Sequence, residues 1–310
     1  MILKEILEVY EIIDSAHVSG LDLKVYLESL GAEDIELKRL ETNKGSTDFI
    51  RISIAGKNGK LSGGASPTLG VLGRLGGLGA RPEKIGMVSD GDGALVVLAL
   101  AAKVLKMASR GDRLEGDLII STHICPDAPI IPHEPVAFMG SPVSTALVNE
   151  EEVRGEMDAI LSVDTTKGNR ILNHRGIAIS PTVKEGYILR VSEDLLDIYE
   201  RVTGRYPVVL PITTQDISPY GNGVYHLNSI MQPSTATNAP VVGLALTTEI
   251  PVAGSATGAS HPLDLELAAR FCLELAKDFG GGSASFFDVK EYKLIRELYG
   301  SMANLQGGKK

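Results

Sequence analysis

The sequence has no tryptophan, and aromatic residues make up only 5% of its 310 positions. Platforms that stack bases or sugars on flat rings are therefore not expected. Its two cysteines, Cys125 and Cys272, cannot make a disulfide framework. Lys and Arg number 30 against 39 Asp and Glu, a net charge of -9. Phosphate binding needs a basic surface, so nucleic acid is not the expected partner. No uninterrupted apolar run reaches the roughly 18–20 residues of a membrane span. The opening Met-Ile-Leu-Lys-Glu-Ile-Leu-Glu reads as the start of an amphipathic helix and not as a signal peptide. The expectation is a cytoplasmic protein that avoids membranes and nucleic acid.

Hydrophobic residues make up 44% of the chain, enough for a large core. Helical periodicity fills residues 1–33, with Ile2, Ile6, Leu7, Tyr10 and Ile13 on one face and Ser19 opening a second helix that Gly31 stops. Strand alternation follows at 35–40 and 48–55. Residues 56–86 are glycine-rich, with Gly63, Gly64, Gly70, Gly73, Gly76, Gly77 and Gly79, and read as a loop region. Strands and helices then alternate. Strands are expected at 84–89, 117–125, 159–164, 177–180, 187–191, 207–212 and 240–247. Helices are expected at 94–109, 192–202, 224–231, 263–279 and 289–299, before a disordered tail at 304–310. Such alternation implies a single α/β domain over 1–310, with a mainly parallel sheet covered on both faces.

In such sheets ligands bind beyond the carboxyl ends of the strands. Strand after strand here ends in a carboxylate or a histidine. Asp90-Gly-Asp92-Gly, His123-Ile-Cys125-Pro-Asp127, Asp164-Thr-Thr, Thr213-Thr-Gln215-Asp216 and Glu249 each follow an expected strand, and the last loop reaches His261. Carboxylates and imidazoles are the ligand set of zinc, manganese or cobalt in hydrolytic sites. No tight spacing motif such as His-Glu-x-x-His accompanies them.

The layout resembles the zinc-dependent aminopeptidase superfamily, in particular its glutamyl and tetrahedral aminopeptidase branch. The resemblance is carried by Met87-Val-Ser-Asp90-Gly-Asp92-Gly before an apolar helix, Ser121-Thr-His123-Ile-Cys-Pro-Asp127, Leu161-Ser-Val-Asp164, and Ser260-His261-Pro262-Leu-Asp264. It implies a three-layer αβα fold of the phosphorylase/hydrolase type and a metal-dependent hydrolase of small peptide-like or amide substrates. Asp90, Asp164 and His261 would be metal ligands with Asp92 beside them. His123 or Asp127 would stand where the family keeps its base and second ligand. Over nearly its whole length the chain also resembles a bacterial family of unknown function that carries Ser-Asp-Gly-Asp-Gly and Ser-Thr-His-Ile-Cys-Pro-Asp-Ala-Pro.

Three departures shape the expectation. The strand at 48–55 has no histidine, no Glu-Glu pair follows Thr122, and there is no room before Asp90 for an inserted dimerisation domain. At most one tightly bound divalent ion is expected, zinc before manganese or cobalt, with weak or no turnover of ordinary aminopeptidase substrates. The alternative is a non-catalytic small-molecule-binding or scaffold protein that keeps the fold without metals. Expected partners are a small-molecule or short-peptide ligand, with a homo-oligomer left open.

Other residues have blander readings. Gly73-x-x-Gly76-Gly77-x-Gly79 lacks the strand–loop–helix setting of a phosphate loop, so a mobile glycine-rich rim or a subunit contact is the better reading. Arg74 and Arg81 offer a clamp for a substrate carboxylate. His133-Glu134 sits in a proline-rich loop, and His226 reads as an ordinary helical residue. Cys125 beside His123 is a rival nucleophile, but a buried structural cysteine is commoner.

Overall fold

The computed structural model describes residues 1–74, 77–78, 86–212, 229–256 and 259–307. Arg81, Asp216 and His226 lie outside them, as do residues 224–228 of the helix expected at 224–231. In chain order the helices are α1 (Leu3–Ile13), α2 (Gly20–Ser29), α3 (Asp92–Ala108), α4 (Thr145–Glu152), α5 (Glu193–Thr203), α6 (Pro262–Gly280), α7 (Val289–Tyr299) and α8 (Asn304–Gly307). The strands are β1 (Asp34–Thr42), β2 (Gly45–Ile54), β3 (Leu69–Gly73), β4 (Leu118–Ile124), β5 (Ile130–Ile131), β6 (Phe138–Met139), β7 (Ala159–Thr166), β8 (Gly176–Ile179), β9 (Val183–Lys184), β10 (Tyr187–Ile188) and β11 (Val241–Thr247).

Among the described residues nine strands form one sheet in the order β1-β2-β4-β3-β7-β11-β9-β10, with β8 also paired to β11. The centre, β4-β3-β7-β11, is parallel. Only β2, β8 and β9 run against it. The sheet is mixed and mostly parallel, as the alternation of elements implies. β5 and β6 form a separate small ribbon.

Side chains alternate across each strand, and the two faces bury different things. Leu118 and Ile120 of β4, Leu161 and Val163 of β7, and Leu244 and Leu246 of β11 join the large core under α1, α3, α5 and α6. Ile119, Ile160 and Ala245 point the other way, into a smaller core with Ile230 and Met231. α4 also lies on this second side, where Val148 packs on Phe49. α3 is apolar nearly all round, as a helix packed between sheet and outer helices must be.

Five expectations need correction. Residues 304–307 of the tail form α8 and are not disordered. The glycine-rich stretch contains a central strand, β3. No strand forms over the described part of 84–89, where Ser89–Gly91 is a single 3₁₀ turn. Residues 207–212 make only one isolated bridge, Ile179 to Val209, and the expected helix up to Met231 is a 3₁₀ turn over Ser229–Thr235. Among the described residues no helix is long and apolar enough to cross a membrane.

Candidate functional site

The parallel strands all end at one rim, and α3 begins there. Asp90 sits in the 3₁₀ turn and Asp92 is the first residue of α3. The loop before α6 folds over them. Ser89 N–H donates to Ala256 O at 3.1 Å and Asp90 N–H to Gly254 O at 3.0 Å. Gly254 lies against the Asp90 carboxylate, and a Cβ there would fall 2.3 Å from Oδ2. Thr165 Oγ1 donates to Asp90 Oδ1 at 3.1 Å, and Ser260 Oγ donates to Asp92 Oδ1 at 2.5 Å.

Both carboxyls are buried and both bind their protons more tightly than an ordinary aspartate. Desolvation raises Asp90, against the opposing pull of the Lys167 charge, the Thr165 hydroxyl and the Met139 backbone. Burial pushes Asp92 up to about 7, opposed by Lys167 and Ser260 and reinforced by the charges of Asp90 and Asp264. Asp92, Lys167, Thr248, His261 and Asp264 line a cavity of about 10 Å³. That is close to the least a single water needs. His261 caps the start of α6, where its carbonyl accepts from Asp264 and Leu265 N–H.

A second polar group occupies the opposite face of the sheet. Gly73 pairs with Thr122 on one side and Val163 on the other, and Arg74 N–H continues the ladder to Val163 O at 2.8 Å. The next row across the sheet is therefore His123, Arg74, Asp164. By alternation these side chains leave the face away from α3. Glu152, the last residue of α4, reaches down to two of them. Its Oε1 lies 2.6 Å from His123 Nδ1 and its Oε2 2.7 Å from Arg74 Nη1. Arg74 Nη2 donates to Asn149 Oδ1 at 2.9 Å, and Asn149 Nδ2 donates to Gln232 O at 3.1 Å. Asp164 Oδ1 accepts its neighbour's N–H, that of Thr165, at 2.7 Å.

The expected ligand trio is thus split. Asp90, Asp92 and His261 share one corner, whereas Asp164 and Thr165, consecutive on β7, point to opposite faces and only Thr165 reaches Asp90. Among the described residues no three His, Cys, Asp or Glu side chains are grouped so as to hold a metal ion. The donor set of a zinc centre does not fit here. Arg74 is no substrate clamp: it is 1% exposed and its guanidinium is bound to Glu152 and Asn149. Asp127 is half-buried in the turn after β4, and its backbone N–H meets the Cys125 sulfur. Burial pushes the Cys125 thiol up to about 12, which removes the thiolate a cysteine nucleophile needs. His133 and Glu134 are exposed between β5 and β6.

Sequence reasoning gave no role to Lys167, Thr165, Ser260 or Glu152. Thr165 and Ser260 adjoin residues it did single out, Asp164 and His261, and Lys167 lies three residues past Asp164. Glu152 closes a run of three glutamates that looks like a solvated helix end.

Residues 38–309 match the model of a family described as protein of unknown function (DUF1177). The chain belongs to that family. No curated protein is significantly similar in sequence to this DUF1177 chain. Among solved structures, the leucine aminopeptidase LAP1 of Caenorhabditis elegans superposes with a TM-score of 0.54 at 13% identity, covering 88% of the DUF1177 chain and 66% of its own. The DUF1177 chain therefore spans just under two thirds of LAP1, and the likeness shows a shared aminopeptidase-type fold. The LapA aminopeptidase of Legionella pneumophila gives 0.49 at 14% identity, with 93% and 72% covered. The bottromycin maturation enzyme BotP gives 0.48 at 13%, with 87% and 70% covered.

Proposed function

We propose that this chain is a hydrolase of small amide or peptide-like substrates, with Asp92 as its proton carrier at the carboxyl end of the sheet. The observation that carries this reading is the Asp92 carboxyl itself, buried, held by Ser260 and pushed up to about 7. A group of that pKa is poised to take and return a proton at neutral pH. The small cavity beside it suits one water. Deprotonated Asp92 takes a proton from that water as its oxygen adds to the amide carbon. The C–N bond then breaks and Asp92 returns the proton to the leaving nitrogen. Lys167 favours negative charge at this corner. The divalent ion expected from the resemblance has no complete donor set among the described residues, so no step runs through it.

The test is a panel of small amides, with and without a free α-amine, assayed with and without chelator. Turnover that survives chelator and is lost in Asp92→Asn supports the reading; no turnover of any amide contradicts it. One observation favours the alternative, a non-catalytic binding or scaffold protein. The cavity of about 10 Å³ admits no substrate unless the loop over Asp90 moves.

A further inference from the structure

The second polar group, across the sheet from Asp92, has a geometry that requires a proton on one named ring nitrogen. We propose that Glu152 is a positioning residue that fixes His123 with its proton on Nδ1, making Nε2 the basic nitrogen of that face.

A guanidinium only donates, so the atom of Glu152 facing Arg74 Nη1 at 2.7 Å is an acceptor. Burial at 1% exposure for both partners makes an unpaired charge very costly, so Glu152 stays ionised beside Arg74. An ionised carboxylate accepts at both oxygens. The other oxygen, 2.6 Å from His123 Nδ1, therefore requires a proton on Nδ1. In the neutral form of such a ring the lone pair is on Nε2. Phe49, whose ring centroid lies 5.3 Å away at 43°, packs against the imidazole and restrains its plane.

A second observation separates this arrangement from an ion pair that merely holds α4 in place. The same face carries more buried polar groups than the protein satisfies. Arg74 Nε, Ser121 Oγ, Ser162 Oγ and Thr166 Oγ1 are buried without a hydrogen-bond partner. Native structures leave few such groups, and those left call for a role. They flank His123 and Asp164 along β4 and β7. The tautomer does not rest on the hydrolase reading above.

Nitrogen-15 NMR on histidine-labelled full-length chain reads the tautomer directly. Six histidines contribute signals, and His123→Gln identifies the one in question. The expected result at pH 8 is a proton on Nδ1, slow to exchange with solvent. Glu152→Gln supplies the sharper test. Its single amide oxygen must face Arg74, so its NH₂ faces His123 Nδ1 and the proton moves to Nε2. A parent ring protonated on Nε2, or a mixture of tautomers, overturns the proposal. So does Glu152→Gln with an unchanged tautomer. If the tautomer behaves as expected while no amide is turned over, the hydrolase reading fails and the positioning role stands.

Discussion

The Ser260 hydroxyl donates to Asp92 Oδ1 across 2.5 Å, tying the approach of α6 to the first residue of α3. This contact stabilises the ionised carboxyl, since it pulls the Asp92 pKa down against burial. Ser260→Ala is expected to raise that pKa above about 7 and to cost about 1–3 kcal/mol at pH 8. At pH 5, where the carboxyl is protonated, the loss should be smaller. Denaturant midpoints at the two pH values check this; equal losses would show that the hydroxyl acts through packing alone.

The Asp92 carboxyl also predicts how stability changes with pH. Its folded pKa of about 7 lies above the ordinary 3.8. Between those values the folded state holds the proton more tightly than the unfolded chain. Stability from this group is therefore full below about pH 4, falls as pH rises to about 7, and is flat beyond. Asp90 is shifted in the same direction. Asp92→Asn should flatten the slope and raise stability at pH 8, by at most roughly 4 kcal/mol from the size of the shift. A parent that gains stability between pH 5 and 8 would contradict the assignment.

Gly254 is where the covering loop touches Asp90. An alanine Cβ would meet the carboxyl carbon at 2.4 Å, which the buried side chain cannot absorb by swinging into solvent. Gly254→Ala should cost about 1–3 kcal/mol through overpacking. It should also break the Asp90 N–H to Gly254 O bond, seen as faster amide exchange at Asp90. Unchanged exchange would mean that the loop is not pinned there.

Core packing offers an independent check on α3. Leu98 is fully buried, so Leu98→Ala should lower stability by about 2–5 kcal/mol. An unmoved denaturation curve would mean that the helix is not packed as described.

Much of this architecture was legible in the sequence, and the misses have physical causes. The 3.6-residue apolar period of α3, and Ser192 capping α5 by accepting from Leu195 N–H, are local signals that survive folding. β3 was hidden because its glycines serve packing rather than turns. A Cβ on Gly70 would fall 2.3 Å from Met157 Sδ, and one on Gly73 would fall 2.6 Å from Val97 Cγ2 of α3. A central strand that must let a helix approach so closely sheds the β-branched residues by which strands are read. The rim was legible too, because a carboxylate or histidine after a strand is a local pattern. What the pattern could not give was the face. Asp164 and Thr165 differ by one step along β7, and that step decides which one meets Asp90. Glu152 lay beyond reach because its role depends on the fold bringing the end of α4 to His123 of β4 and to Arg74 just past β3.

The central claim is that a buried carboxyl, Asp92, carries the proton in a hydrolytic step at this rim. The most direct measurement is the pH dependence of kcat/KM for an amide turned over by the chain, with Asp92→Asn alongside. The account predicts a rate that rises with pH and levels off above about 7, as the carboxyl ionises, insensitivity to chelator, and loss of the rise in Asp92→Asn. A rate that is flat from pH 5 to 8, or an Asp92→Asn variant as active as the parent, would contradict it.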